Sequence, residues 1–226
     1  MRISKNFYFS LFLITLALCN IIFPINAKEI CAGFKGDINF SVKVIPKNIH
    51  YNLGISQEDL HQLAGKKYGQ NKKKQILGLT STKQSISTKM AGQVSKMSTG
   101  LFCFQVTSVD IKIKILQLDV FVLGKYARGS CQYAAIIDHE HEHVTTYQIG
   151  INKLERAFNR KLLGIIKRLP PSISNTPEKA RNIAFKMVLD KIKQIKTPIS
   201  RAMKYRDQQI DTPLSYKSLT QQCSSW

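Results

Sequence analysis

Between Ile111 and Leu123 the chain reads IKIKILQLDVFVL, with apolar and other residues alternating at a period of two. Such a run buries its apolar side chains only as a β-strand, because successive strand residues point to opposite faces. The apolar phase runs Ile111, Ile113, Ile115 and then switches to Leu116, Leu118, Val120, Val122. A strand changes face through a bulge or by burying both sides, so the spacing predicts a bulge near Ile115 and Leu116. LFCFQVTSV just before it, DINFSVKVI from Asp37 and QILGLTSTKQSIS read as further strands, with Pro46 ending DINFSVKVI. SQEDLHQLAG reads as a short helix with Ser56 as N-cap and Gly65 as its stop.

From Cys131 to about Leu169 the pattern becomes helical, and Pro170-Pro171 ends it. A second helix is expected from Thr176, with Pro177 at its first position, to about Lys196; the sequence after Thr197 has few apolar residues and is expected to be irregular. Strands first and helices later predict an α+β fold: an antiparallel sheet from the N-terminal half, packed on one long helix and a second C-terminal helix.

The long helix carries HEHEH, residues 139–143. Helical residues four apart share a face and residues two apart do not, so His139 and His143 converge while His141 points away. Two imidazoles one turn apart fit one zinc ion, and a glutamate between them can act as general base on a zinc-activated water. Glu140 holds the base position of the H-E-x-x-H pattern and shares its flank with Val144, Ile151 and Phe158, whereas Glu142 leans towards Lys153 and solvent. Tyr147, one turn further on, is placed to orient a ligand or substrate. The competing readings are a charged helix with solvated histidines and a metal site without catalysis.

A catalytic zinc takes three protein ligands and keeps an open position. No third histidine follows His143, which leaves Glu178, Asp190, Asp207, Asp211, Tyr216, His50 and His61. Glu178 suits its helix N-terminus and Asp190 a polar face. Four cysteines follow Lys28, an even number that suggests two disulfides with three possible connectivities. Cys131 opens the zinc helix about 12 Å before His139 at helical rise, and Cys223 lies shortly after Tyr216. A Cys131–Cys223 bond would fold the C-terminal segment back beside the histidines, making Asp211 the expected third ligand, Tyr216 the next candidate or a transition-state donor, and Cys31–Cys103 the other bond.

Arg2 and Lys5, the apolar run from Phe7 to Phe23 and Ala27 read as a secretory signal peptide over residues 1–27, which leaves 28–226 as a single zincin-like domain, secreted or periplasmic. A lipid anchor at Cys19 fits less well, because Leu18 is large where such a site wants a small residue. The net charge of +20 points to anionic surroundings, an envelope polymer or membrane surface, or an acidic protein substrate. Nucleic acid fits poorly, since KKYGQNKKK from Lys66 to Lys74 lacks interleaved aromatics and reads as a solvated basic loop.

These pieces resemble a family of secreted zinc-dependent proteases known as a bacterial domain of unknown function, DUF922. HYNLGISQEDL, with Tyr51 and Gly54, is similar to its early segment; LFCFQVTSVDIKIKI to its cysteine-containing strand and the alternating strand that follows; HEHEHVTTY to its H-E-x-x-H helix; and DQQIDTPLSY to its terminal segment. The histidine of that segment is absent here, and Tyr216 stands near its place. The resemblance implies a zinc peptidase acting on peptide or protein substrates. The rival class is a non-catalytic basic envelope-binding protein with a structural or vestigial metal site.

Overall fold

The computed structural model describes residue 31 and residues 36–68 and 76–226. The signal-peptide reading of residues 1–27 lies outside them, as do the side chains of the stretch from Lys66 to Lys74.

A five-stranded sheet is organised around β4 (Phe102–Leu123), a single strand of 22 residues that fuses the two strand-like pieces of the sequence. β3 (Gly78–Lys96) runs antiparallel along one whole edge of β4. The turn between them uses Gly100 at a φ of 82°, a conformation glycine adopts without strain. On the other edge, β5 (Ser172–Ser174), β1 (Asn39–Ile45) and β2 (His50–Ile55) lie end to end. β5 is antiparallel to β4, but β1 and β2 are parallel to it, so the sheet is mixed and the expectation of an antiparallel sheet is corrected. The chain reverses between β2 and β3 and again between β3 and β4, and two reversals restore the original direction. Alternation in sequence reports which face is buried, not which strand is the partner.

Lys83 lies opposite Gln117 and Gln84 opposite Ile115, so the pairing skips Leu116, and the bulge sits where the apolar phase changes. A second shift passes over Thr107 and moves the phase once more. Between the two shifts, Val109, Ile111 and Ile113 are fully buried on the inner face.

α1 (Gln57–Tyr68) begins at Ser56, whose Oγ accepts the Asp59 N–H at 3.1 Å, and passes Gly65, the expected stop. α2 (Cys131–Ala157) is capped by Ser130 and leads through a π-turn (Phe158–Leu162) into α3 (Leu163–Ile166). α4 (Pro177–Ile210) starts at its Thr176 cap as expected, but runs through Pro198 to Ile210 instead of stopping near Lys196. α5 (Pro213–Thr220) follows, so the expected irregular segment after Thr197 is helical. Pro198 removes one helical hydrogen bond, while Ile195, Ile199 and Met203 pack against the core and Ile210 is buried. Those apolar contacts, spaced four to seven residues apart, outweigh the local break.

α2 and α4 pack side by side beneath the sheet's inner face. His143 lies beside Asp207 and Gly150 beside Met203, so the two helices run antiparallel. Their spacing depends on Gly150, since a Cβ there would collide with the end of the Met203 side chain. Met203 can swing aside for one methyl group but not for a branched side chain. Gly150→Leu is therefore expected to cost about 1–3 kcal/mol of stability in urea titrations, and to weaken metal binding at the site described next.

Candidate metal centre

α2 supplies His139 and His143, which the hydrophobic stripe of the helix turns inward, so that both are buried. Asp211 is the C-cap of α4. Its Oδ1 lies 3.3 Å from Nε2 of His139 and 3.1 Å from Nε2 of His143. Among the described residues these three form a group whose ligand atoms all lie within 4.8 Å of one another, and they could hold a metal ion. The distances suit that use: zinc bonds of about 2.0–2.1 Å imply tetrahedral edges of about 3.3 Å between ligand atoms. The donor set of two imidazole nitrogens and one carboxylate oxygen suits a divalent transition metal without selecting which one.

The second nitrogen of His143 is also engaged, with Nδ1 2.7 Å from Oδ1 of Asp207. A carboxylate on that nitrogen holds the ring's orientation and directs Nε2 towards a metal. Asp207 and Asp211 are four residues apart on one helix, the same spacing as the histidines facing them. The sequence reading leaves Asp207 among several acids, because the helix carrying it was expected to have ended.

Glu140 is only 3% exposed, and its Oε2 accepts a 2.7 Å hydrogen bond from the Thr80 hydroxyl on β3. Gly78, two residues earlier, leaves the space for it: a Cβ there would sit 2.6 Å from Oε1 of Glu140. Burial raises the Glu140 pKa; the charges of His143 and His139 and the Thr80 bond oppose the rise. No sequence signal marks Thr80 or Gly78, since their role arises only from the packing of β3 on α2.

Tyr216 on α5 places its ring 5.3 Å from that of His139 and donates its hydroxyl to Asp211. Burial, together with Asp211 and Glu140, pushes its phenol well above the usual range, so it stays a donor. Tyr147 is not brought into the group: it packs in the core, its buried hydroxyl has no hydrogen-bond partner among the described residues, and burial alone raises its pKa to about 12. His141 accepts or donates a 2.9 Å hydrogen bond with the Tyr51 hydroxyl on β2, away from the triad. His50 faces Asp119 and His61 faces Gln57, so neither joins the site.

Three hydrogen bonds and a disulfide hold the C-terminal segment in place. Thr212 caps α5 by accepting the Ser215 N–H, and the Ser215 hydroxyl donates back to the Ile210 and Thr212 carbonyls. Disulfides join Cys131 to Cys223 and Cys31 to Cys103. Such bonds are consistent with an extracellular or periplasmic protein. No helix among the described residues is long and apolar enough to cross a membrane. Comparison with protein-family models, with curated proteins and with solved structures gave no match.

Metal analysis of variants tests the ligand set. Ala at His139, His143 or Asp211 should abolish stoichiometric binding, Asp207→Asn should weaken it about 10- to 100-fold, and His141→Ala should leave it unchanged.

The metal-free protein should also show a defined pH response. Burial lowers the His143 pKa, but the hydrogen bonds that its ring donates to Asp207 and Asp211 outweigh it and lift the group to about 9. Asp211 is raised by burial, yet the same histidines hold it well below the usual carboxylate range. A raised histidine contributes stability below its unfolded pKa of about 6.5 that is lost as pH rises through the folded value. Chelator-treated protein should therefore lose on the order of 2–3 kcal/mol between pH 6.5 and 9 in urea titrations. Metal affinity should rise across the same window, because a metal displaces the His143 proton.

Proposed function

We propose that the chain is a zinc-dependent metallopeptidase, secreted or periplasmic, and that it belongs with the DUF922-type proteases it resembles. The observation that carries the reading is the convergence of His139, His143 and Asp211 with Glu140 one residue from a ligand. Three protein ligands are the complement of a catalytic site with an open position, whereas a structural zinc site is closed by four. Bound zinc would supply Lewis acidity for water attack on a carbonyl.

The chain's own groups do the rest. Glu140, its pKa raised by burial, accepts the proton of the attacking water and delivers it to the departing amine. Thr80 fixes the carboxylate while this happens, and Asp207 holds His143 in register. Tyr216, protonated and beside Asp211, is placed to donate to the oxyanion that develops at the scissile carbonyl. A groove of about 860 Å³ between α2 and α4 is lined by Asp138, His141, Glu142, Ile149, Met203 and Arg206; it lies on the His141 side of α2, and none of the metal-centre residues lines it.

A second reading, a non-catalytic envelope-binding protein with a structural or vestigial metal site, draws on the depth of Glu140, which is 3% exposed and bonded to Thr80. The two part on one variant. The wild-type protein is expected to cleave an unstructured polypeptide such as casein in a chelator-sensitive way, and Glu140→Gln to retain full zinc content while losing at least about 100-fold in rate. Equal turnover by Glu140→Gln would rule out the mechanism, and inactivity of zinc-loaded wild type on all unstructured substrates would favour the second reading.

A further inference from the structure

The outer face of the sheet, opposite α2 and α4, carries an arrangement that the metal centre does not use. Lys43 on β1 lies directly opposite Lys112 on β4, and Lys114 follows on the same face. Like charges directly opposed across a ladder are destabilising, and Ser87, the β3 neighbour of Lys112, brings no acid to relieve them. Lys47 adds its ammonium at the Leu116 carbonyl, 2.9 Å away, and Lys83 stands opposite Gln117 on the far side of the bulge. Lys43, Lys47, Lys83 and Lys114 are exposed and Lys112 is half-buried. At strand spacings of about 4.8 Å and about 6.6 Å per residue pair, the five ammonium groups form one band running across the three strands.

The band has edges. One row before Lys112, Asp110 accepts a 2.5 Å hydrogen bond from Ser41, and one row after Gln117 stands Asp119, bonded to Gln117 and facing His50. A planar anionic surface laid on this face would meet those carboxylates together with the lysines. A chain laid diagonally from Lys43 through Lys112 and Lys114 to Lys83 would follow the lysines and stay between the Asp110 and Asp119 rows. Ile45, Ser85, Ser87 and Gln117 occupy the same rows, so the band offers no aromatic ring on which a nucleic-acid base could stack. We propose that this band is a docking site for a linear acidic polysaccharide carrying carboxylate, sulfate or phosphate groups, and that it works independently of the metal centre.

The test uses the full mature chain and heparin as the probe, with Lys43→Gln, Lys112→Gln and Lys114→Gln combined in one variant. A matched variant removes three exposed lysines from α4 instead, at Lys179, Lys186 and Lys193, so that net charge falls equally in both. The sheet variant should bind heparin at least about tenfold more weakly than wild type with a shallower salt dependence, and the α4 variant within about twofold of wild type. The sheet variant should be at least as stable to urea as wild type, because it loses a repulsion. Absence of heparin binding by wild type, or equal losses in the two variants, would overturn the proposal, the latter leaving net charge as the cause. Destabilisation of the sheet variant would give the lysines a structural role instead. Tighter binding to phosphatidylglycerol vesicles than to heparin, lost in the same variant, would replace the polysaccharide with a membrane surface.

Discussion

A single carboxylate oxygen, Oδ1 of Asp211, lies within hydrogen-bonding distance of two buried imidazole nitrogens, and the rest of the structure is arranged around that placement. The position is an unfavourable one for an anion taken alone. Asp211 caps the C-terminal end of a helix of 34 residues, where the backbone carbonyls already present the negative pole of the macrodipole. Asp207 adds a second carboxylate in the last turn, and no basic residue offsets them within that turn. Two acids and a helix C-terminus together make a strong local demand for positive charge, which protonated histidine or a metal cation can meet. A buried ion pair is weak evidence for stability in itself. The demand for a cation is better explained by a site that binds one.

That demand can be met only if the C-terminal segment is held against α2. The hold is distributed. Gly150 lets Met203 approach, Ile199 and Ile210 bury apolar surface, Thr212 and Ser215 stop one helix and start the next, and Cys131–Cys223 ties the end of the chain to the first residue of α2. Beyond the bond, Gln132 donates to the Ser225 carbonyl and the ring of Trp226 meets that of Tyr126 edge-on at 5.7 Å. A disulfide acts chiefly on the unfolded ensemble. The local caps and contacts therefore set the native geometry, while the bond limits how far the segment can stray from it.

What could be read before the fold was known followed from periodicity and covalent reach. The i, i+4 spacing of His139 and His143 determines which imidazoles converge, and the phase switch in IKIKILQLDVFVL locates the bulge at Leu116. The span from Cys223 back to Cys131 brings Asp211 within range of the histidines. Pairing direction was not legible, since a half-buried strand looks the same whether its neighbour is parallel or antiparallel. The extent of α4 was not legible because the sequence after Thr197 has few apolar residues and reads as irregular. Only the tertiary burial of Ile195, Ile199 and Met203 shows why the helix continues. Asp207 and Thr80 were illegible for the same reason: each acts through a partner on another element.

The chain's net charge of +20 raises the question of how a divalent cation would be captured at all. The answer lies in distance. At physiological ionic strength the Debye length is about 8 Å, so exposed charges further away are largely screened, whereas buried ones are not. The lysines of the outer band lie on the face of the sheet opposite the helices that carry the metal centre, with the sheet and its buried inner-face side chains between. Around His139 and His143 the nearby charges are Asp207, Asp211 and Glu140, so the local field is negative although the molecule as a whole is positive. The sheet thus separates two electrostatic environments. A polyanion on its outer face would neutralise the lysines without competing for the cation site, so a basic exterior and a metal centre are compatible in one domain.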